Sequence, residues 1–404
     1  MKKYLSLYGS HLGRVVLLGL ILLLPGQAWA GKNVFQFFED MEIHGFVASS
    51  YSYNFNKPLT QTNCGVAPLT GCARIFDQDD NSFKLDNTEL VFLKETPDVG
   101  DIGFRFDLTF GFSLPEGAQR LRSSATSTAN GLSPIATADD DFDLQQGYVS
   151  WNAPIGNGLQ LDLGKFVTHV GAEVFDGYDG WNMNFSRTFV FGWGIPFNHT
   201  GLRATYDFTD KLTVMAMLAN NWGEAGVSDN NTDKVLGTQI AYSATDTIGI
   251  LFNWVGGNQG TATPPISNNN NWRNIFDIVV DIALTNRLYL QLNADYGAEE
   301  NAHPVSGGTA KWGGFAGIVR YDFNKWFSMN VRGAHFIDAD GFRMGALNNR
   351  LWEVTFTPEF RIADNMVIRF EYRHDESNLA VFENSRGLGT SHQDTVAMNA
   401  LIHF

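Results

Sequence analysis

The most constraining feature of this sequence is a two-residue alternation of apolar and polar side chains. It is clearest over residues 102–112, where Ile, Phe or Leu fills every second position and Gly, Arg, Asp and Thr stand between them. Successive side chains of a β-strand point to opposite faces, so this stretch predicts a strand with one apolar face. A soluble sheet also alternates, but an unbroken row of large apolar residues favours a wall that faces lipid.

The same alternation recurs along most of the chain. Most of the alternating segments have the roughly 9–11 residues that a tilted strand needs to cross a bilayer. We therefore predict an all-β fold, a transmembrane antiparallel up-and-down β-barrel of about 16 strands, with 14 to 18 as the range of alternatives. The predicted strands are residues 43–55, 82–94, 102–112, 142–152, 159–169, 199–208, 211–222, 234–243, 247–257, 273–284, 287–297, 311–323, 326–337, 351–362, 366–374 and 394–404.

Short and long connections follow one another between these strands. Residues 209–210, 245–246 and 324–325 are short pairs of turn-forming residues, whereas 56–81 and 170–198 are among the long polar connections. Outer-membrane barrels place short turns in the periplasm and long loops outside. Lipid offers the backbone no hydrogen-bond partners, so the sheet must close. A barrel this wide has an aqueous lumen unless a loop or plug fills it.

The first thirty residues predict an export signal. Lys2 and Lys3 precede an apolar run over 15–24, and residues 28–30 read Ala-Trp-Ala, which suits signal-peptidase cleavage. A membrane anchor is the alternative, but this run is too short to cross a hydrocarbon core of roughly 30 Å as a helix. We expect residues 1–30 to be a cleaved signal peptide.

The other end of the chain predicts the compartment. Residues 394–404 alternate and stop on Phe404, which resembles the C-terminal signal of outer-membrane barrel proteins. We expect Phe404 to be read by the barrel-assembly machinery. Residues 31–404 would then form a single barrel in a bacterial outer membrane, in contact with lipid and lipopolysaccharide.

The net charge and the two cysteines further limit the partners and sites that this chain can have. The net charge of −15 argues against nucleic-acid binding and is compatible with a pore that prefers cations. Cys64 and Cys72 are the two cysteines of the chain. In an oxidising periplasm we expect them to form a disulfide that closes a small loop. A metal or redox pair is the alternative, but further Cys or His residues are not nearby. We predict neither a metal nor a cofactor.

Charged residues fall repeatedly on the polar face of the predicted strands. An Arg or Lys on the lipid side at mid-membrane would cost about 2–4 kcal/mol, so this parity favours a wet lumen. The alternative is that many of these charges are wall-stabilising salt bridges without a role in selectivity. The predicted pore-lining residues are Arg105, Asp107, Arg203, Arg320, Arg332, Arg361, Arg369 and Arg373.

The third long connection, residues 170–198, combines acids with many aromatic residues and glycines. We predict that it folds into the lumen and narrows it, with arginines of the C-terminal strands opposite. An external loop packed by its own aromatic residues is the alternative. The predicted constriction residues are Glu173, Asp176, Asp179 and Arg187.

Several short stretches between residues 144 and 206 resemble the OmpL-like β-barrel porin family. The resemblance implies a single-chain outer-membrane barrel that acts as a porin, and it supplies no ligand. Elsewhere the chain resembles the family only in its pattern of strands and turns. The matching stretches are residues 144–149, 153–156, 158–159, 163–166, 171–174, 184–187, 195–196 and 199–201.

The sequence therefore predicts a porin that passes small hydrophilic solutes or ions by passive diffusion, with a mild cation preference. A substrate-specific transporter and a structural or plugged barrel are the alternatives. We do not expect an enzyme, because the nucleophile, zinc-binding and phosphate-loop patterns are missing. Residues 338–341 hint at a calcium loop, but the rest of that motif is missing. A homotrimer is expected only by analogy with porins of this size.

Overall fold

Sixteen antiparallel strands close into one barrel in the computed structural model, which describes residues 40–111, 142–222, 233–259 and 271–404. Strand order follows the chain, so the predicted fold class and strand number are confirmed. The predicted signal peptide and the whole connection 113–141 lie outside the described residues. The barrel strands are β1 (Glu42–Asn54), β2 (Ser82–Lys94), β3 (Ile102–Phe110), β4 (Phe142–Ala153), β5 (Leu159–Val167), β6 (Asn198–Thr209), β7 (Leu212–Ala219), β8 (Val235–Ser243), β9 (Ile248–Asn258), β10 (Trp272–Ala283), β11 (Leu288–Glu299), β12 (Ala310–Asp322), β13 (Phe327–Asp338), β14 (Asn349–Ala363), β15 (Met366–Ser377) and β18 (His392–His403). A two-stranded hairpin, β16 (Phe382–Glu383) with β17 (Gly389–Thr390), lies in the last long connection.

The barrel closes where β18 pairs with β1. Phe46 lies opposite His403, and the ladder continues through Asn54 opposite Thr395. Phe404 extends the ladder by one step, because its backbone exchanges hydrogen bonds of 2.8 and 2.9 Å with Gly45. Both ends of the described chain therefore lie at the end of the barrel that carries the short turns, which we call the short-turn end; the opposite end is the long-loop end.

The predicted alternation decides which residues face out. In β3, Ile102 and Phe106 are exposed on the outer wall, whereas Asp107 and Thr109 are buried inside. The predicted strand 102–112 ends earlier, at Phe110, and Phe112 lies outside the described residues. Among the described residues, no helix is long and apolar enough to cross a membrane.

Two long connections pack among the inward-facing side chains. We call residues 55–81 loop L1 and residues 168–197 loop L3. Phe76 of L1 and Phe191 and Trp193 of L3 join one buried apolar cluster with Phe336 of β13. The lumen of this barrel therefore contains a packed core of its own.

The register is interrupted in two neighbouring places on the N-terminal side. Between β1 and β2 the pairing skips Asp86, and between β3 and β4 it skips Gln145. Such β-bulges place two successive side chains on the same face. Asp86 with Asn87, and Gln145 with Gln146, are accordingly all buried inside the barrel. Two further register shifts, in β6–β7 and β14–β15, lie beside short turns.

Candidate functional site

Loop L3 leaves the wall after β5, returns at β6 and reaches distant strands in between. Gly177 and Gly180 pair through backbone hydrogen bonds of 2.8 and 3.3 Å and form the tip of the loop. The Tyr178 ring stacks on His44 of β1 with ring centroids 4.2 Å apart. A π-helical turn, Val190–Gly194, packs against β11, β12 and β13. Contacts with strands on several sides of the barrel mean that L3 crosses the lumen.

Arginines on the inward faces of β12–β15, which we call the C-terminal wall, bind L3 directly. Arg332 donates to Glu173 at 3.0 Å. Arg369 donates to Asp176 at 3.3 Å, and Arg373 donates to the Arg187 carbonyl at 2.5 Å. The loop is therefore attached to this wall by charged and backbone groups together.

These wall arginines are also paired within the wall. Arg332 and Arg373 are fully buried and bind Glu353 and Asp375 at 2.7 and 2.6 Å. Arg320 binds Glu359 at 2.8 Å. Buried charges are stable only when they are paired, so the wall and L3 form one compensated network. The arginines of this wall contact the loop acids directly, Arg332 at Glu173 and Arg369 at Asp176.

L3 also pairs its own charges. Arg187 binds Asp176 at 3.1 Å and lies over the Phe76 ring of L1, 5.1 Å from its centroid. Asp176 accepts hydrogen bonds of 2.8 Å from the backbone and side-chain amides of Asn182. These bonds fix the shape of the loop on the side of the C-terminal wall.

The remaining predicted pore-lining residues lie apart from that network. Arg203 binds Asp162 at 2.8 Å and covers the Phe166 ring at 4.6 Å. Arg361 is exposed at the end of β14 beside a short turn. It shares the inward parity of its strand but does not join the charge network of the lumen.

A cavity of about 230 Å³ lies between L3 and the inward faces of β2–β4, which we call the N-terminal wall. Arg105 binds Asp107 at 2.8 Å and Asp179 of the loop tip at 3.0 Å. We call the space between L3 and the N-terminal wall the L3 cavity. Its lining comprises the carboxylates Glu89, Asp107, Glu173 and Asp179, the guanidinium of Arg105, the amides of Gln145 and Gln146, and the apolar or backbone groups of Val167, Thr168, Val174, Phe175, Gly180 and Phe191.

Sequence reasoning missed Glu89, Gln145 and Gln146 as lining residues. One signal was available, because Gln145 and Gln146 are consecutive polar residues in a strand that otherwise alternates. Two adjacent polar residues in an alternating strand indicate a bulge that turns both side chains inward. For Glu89 the bulge at Asp86 sets the parity of the rest of β2 in the same way.

Loop L1 covers L3 near the long-loop end. Cys64 and Cys72 form a disulfide in L1. Arg74 then pairs with Asp375 of the C-terminal wall at 2.7 Å, and the Trp193 indole of L3 donates to the Ala73 carbonyl at 3.0 Å. L1 is thus attached both to the same wall as L3 and to L3 itself.

Burial shifts the pKa of two side chains of L3. Burial lowers the pKa of His169 to about 4, so this side chain is neutral at pH 7. Burial also raises the pKa of Tyr178. Within the described ranges, no cluster of three or more His, Cys, Asp and Glu is arranged to hold a metal ion.

Comparison with known proteins places the whole barrel in one family. Residues 40–404 match the family model described as "Putative beta-barrel porin-2, OmpL-like". No curated protein sequence matches the chain. Among solved structures, the outer-membrane channel DcaP of Acinetobacter baumannii is similar with a TM-score of 0.57 and 11% identity, over 90% of this chain and 97% of that one.

Two further porins share the architecture. The anion-selective porin of Comamonas acidovorans has a TM-score of 0.57 and 10% identity, over 90% of this chain and 99% of that one. The trimer form of OmpT of Vibrio cholerae has a TM-score of 0.55 and 9% identity, again over 90% and 99%. Identities this low show a shared fold. Together with the family match over 40–404, they establish that the chain is an outer-membrane β-barrel and belongs to the OmpL-like β-barrel porin-2 family.

Proposed function

We propose that this protein is a porin whose water-filled lumen passes small hydrophilic solutes and ions by passive diffusion, with a mild preference for cations. One observation carries the proposal. L3 crosses the lumen and is bound to the C-terminal wall, while a polar cavity stays between the loop and the N-terminal wall. A barrel of sixteen strands is wide enough for an aqueous channel, and a loop that is bound to both walls with a polar cavity beside it would narrow that channel.

The charge of the cavity supports the cation preference. Four carboxylates and one guanidinium line it. The Asp179 carboxylate is 49% exposed, and Arg105 is shared between it and Asp107. Rings and clusters of carboxylates favour cations in a pore. The anion selectivity in the name of the Comamonas porin is a property of that protein, because fold likeness does not carry selectivity.

Planar-bilayer recording of the refolded protein tests the channel itself. We expect stable, ohmic current steps on insertion, with reversal potentials that favour cations in a salt gradient. Many insertions without current would overturn the proposal and favour a plugged, structural barrel. Measurable enzyme activity is not part of the proposal, since family and neighbours support a channel.

Replacement of Asp179 by Asn tests the role of the loop tip in selectivity. Removing this charge at the cavity should shift the reversal potential towards the value of a non-selective pore, while the current steps persist. Asp210→Asn makes the same charge change in an exposed short turn and serves as the matched control. Equal reversal potentials for Asp179→Asn and the unaltered protein would remove L3 from the selectivity account.

We further propose a homotrimer, supported by the trimer form of OmpT among structures of this fold. Chemical crosslinking in native outer membranes should give a trimer band, and a monomer band alone would contradict it. Recognition of Phe404 by the barrel-assembly machinery and contact with lipopolysaccharide stay predictions.

A further inference from the structure

The first step concerns a buried acceptor that the bulge in β4 creates. Both polar atoms of the Gln146 side chain are hydrogen-bonded. Its amide nitrogen donates to Asp107 at 2.6 Å, and its oxygen accepts from the Val167 amide at 3.1 Å. Gln145 is only 4% exposed and lines the same cavity. Its side-chain oxygen has no hydrogen-bond partner among the described residues. A buried acceptor without a partner is destabilising, so a donor at this point is favoured.

The second step concerns a carboxylate that lines the same cavity. Glu89 is 5% exposed, and one of its oxygens accepts the Tyr178 amide at 2.8 Å. In the part of the chain that the structure describes, Glu89 has no ion-pair partner. Among the described residues that line the cavity, Arg105 supplies the one guanidinium, and it is shared by Asp107 and Asp179. The described lining therefore offers no further cation to pair with Glu89.

The third step concerns the apolar lining of the cavity. Phe175 and Phe191 line it from L3, with ring centroids 6.1 Å apart and ring planes at 69°. Val167 and Val174 add apolar surface. A few convergent polar groups facing aromatic side chains are typical of small-molecule sites. Aromatic faces attract both apolar groups and cations.

From these three features we propose that the L3 cavity is a binding site for a small, planar organic cation of the amidinium or guanidinium class that carries an apolar portion. The planar N–H groups pair with the Glu89 carboxylate and donate to the Gln145 oxygen, a geometry in which such forks match carboxylates. The apolar portion lies against Phe175 and Phe191. The proposal deepens the proposed function, because it names a solute class that the lumen would hold during passage.

Calorimetric titration of the intact barrel in detergent tests the site with three probes of the same shape. Benzamidine is the cation, benzamide its neutral counterpart and benzoate its anion. We expect saturable benzamidine binding at one site, with affinity for benzamide lower by on the order of tenfold and benzoate not bound. Equal binding of all three probes would overturn the proposal, since it would show simple apolar partition.

Two variants locate the binding. Glu89→Gln keeps an acceptor for the Tyr178 amide and removes the charge, so benzamidine affinity should fall by on the order of tenfold. Gln145→Met keeps the size and removes the acceptor, so affinity should fall several-fold, by order-of-magnitude reasoning on one lost hydrogen bond. Asp281→Asn is the matched control. Asp281 is an inward carboxylate of β10 that accepts bonds from Tyr289 and from Gln291 at 3.0 Å, away from the cavity.

The control should bind benzamidine as the unaltered protein does. Unchanged affinity in both Glu89→Gln and Gln145→Met would overturn the proposal. Bilayer recording in parallel separates the two hypotheses. Current without benzamidine binding would reject the site and leave the porin standing, whereas binding without current would reject the porin and leave the site standing.

Discussion

The two walls that face L3 are built from the same alternating strands and do different things. The C-terminal wall has a regular register across β12, β13 and most of β14, and its arginines Arg332 and Arg373 are buried and paired. The N-terminal wall has two bulges, and it presents Gln145 and Glu89 to a cavity. The C-terminal wall binds the body of the loop, whereas the N-terminal wall contacts its tip and leaves a cavity beside it.

The difference shows that regular strands and bulged strands can have different roles in one barrel. Regular alternation places one inward side chain at every second position, where a charged one can pair with neighbours on adjacent strands. A bulge places two polar side chains together and leaves fewer partners for each, as the unpartnered oxygen of Gln145 shows. The compensated charges of the C-terminal wall bind L3, whereas the unpartnered oxygen of the N-terminal wall is the group on which the proposed solute site depends.

The largest expected effect comes from breaking the C-terminal wall. Arg332→Met leaves Glu173 and Glu353 buried without their shared cation, which should lower the free energy of unfolding by about 3–5 kcal/mol. L3 should also become accessible to protease and the channel should widen. Urea unfolding, limited proteolysis and single-channel conductance measure the three effects.

The matched control for that variant is Arg320→Met. Arg320 is 18% exposed and pairs with Glu359 and Asp322, both of which belong to the wall, so L3 should stay protected. If both variants exposed L3 to protease equally, the claim that specific arginines hold the loop would fail.

A smaller effect is expected from the cover that L1 adds to the same wall. Replacing Cys64 and Cys72 together by Ser removes a short covalent loop, which should destabilise L1 by about 2–3 kcal/mol. Hydrogen exchange in residues 55–81 should quicken while the barrel strands keep their protection. Treating the unaltered protein with a reductant should reproduce the result; equal exchange in L1 with and without the disulfide would contradict it.

The smallest expected effect tests the fit of the loop tip to the N-terminal wall. A Cβ at Gly177 would lie 2.7 Å from a Glu89 oxygen, whereas a Cβ at Gly180 would have no atom within 4 Å. Gly177→Ala should therefore displace the Glu89 side chain and destabilise the docked tip by about 1 kcal/mol, and Gly180→Ala should not. Exchange of the Tyr178 amide, which Glu89 accepts, reports the difference. Equal exchange in the two variants would show that the tip does not rest on Glu89.

The sequence predicted the barrel well because its signal is local. Strand number, outward parity and the alternation of turns all follow from residues within about a dozen positions of each other, as in β3. The lumen was harder, because its contacts join distant parts of the chain. Arg332 was expected to line the pore, but its pairing with Glu173 depends on the path of L3. The bulge at Gln145 shifts the register within one strand. Only the two adjacent polar residues Gln145 and Gln146 indicate that shift in the sequence. The exposed position of Arg361 depends on where the strand meets its turn.

The attachment of L3 has a consequence for the order in which the protein assembles. Glu173 and Arg332 are 159 positions apart in the chain, and Asp176 and Arg369 are 193 apart. Contacts this distant close large loops and form slowly compared with local ones. A chain interrupted before β13 has made most of its wall and the strands that contact the loop tip, yet it lacks the arginines that bind Glu173 and Asp176. The narrowing of the lumen is therefore a late event, which depends on the last strands taking their positions.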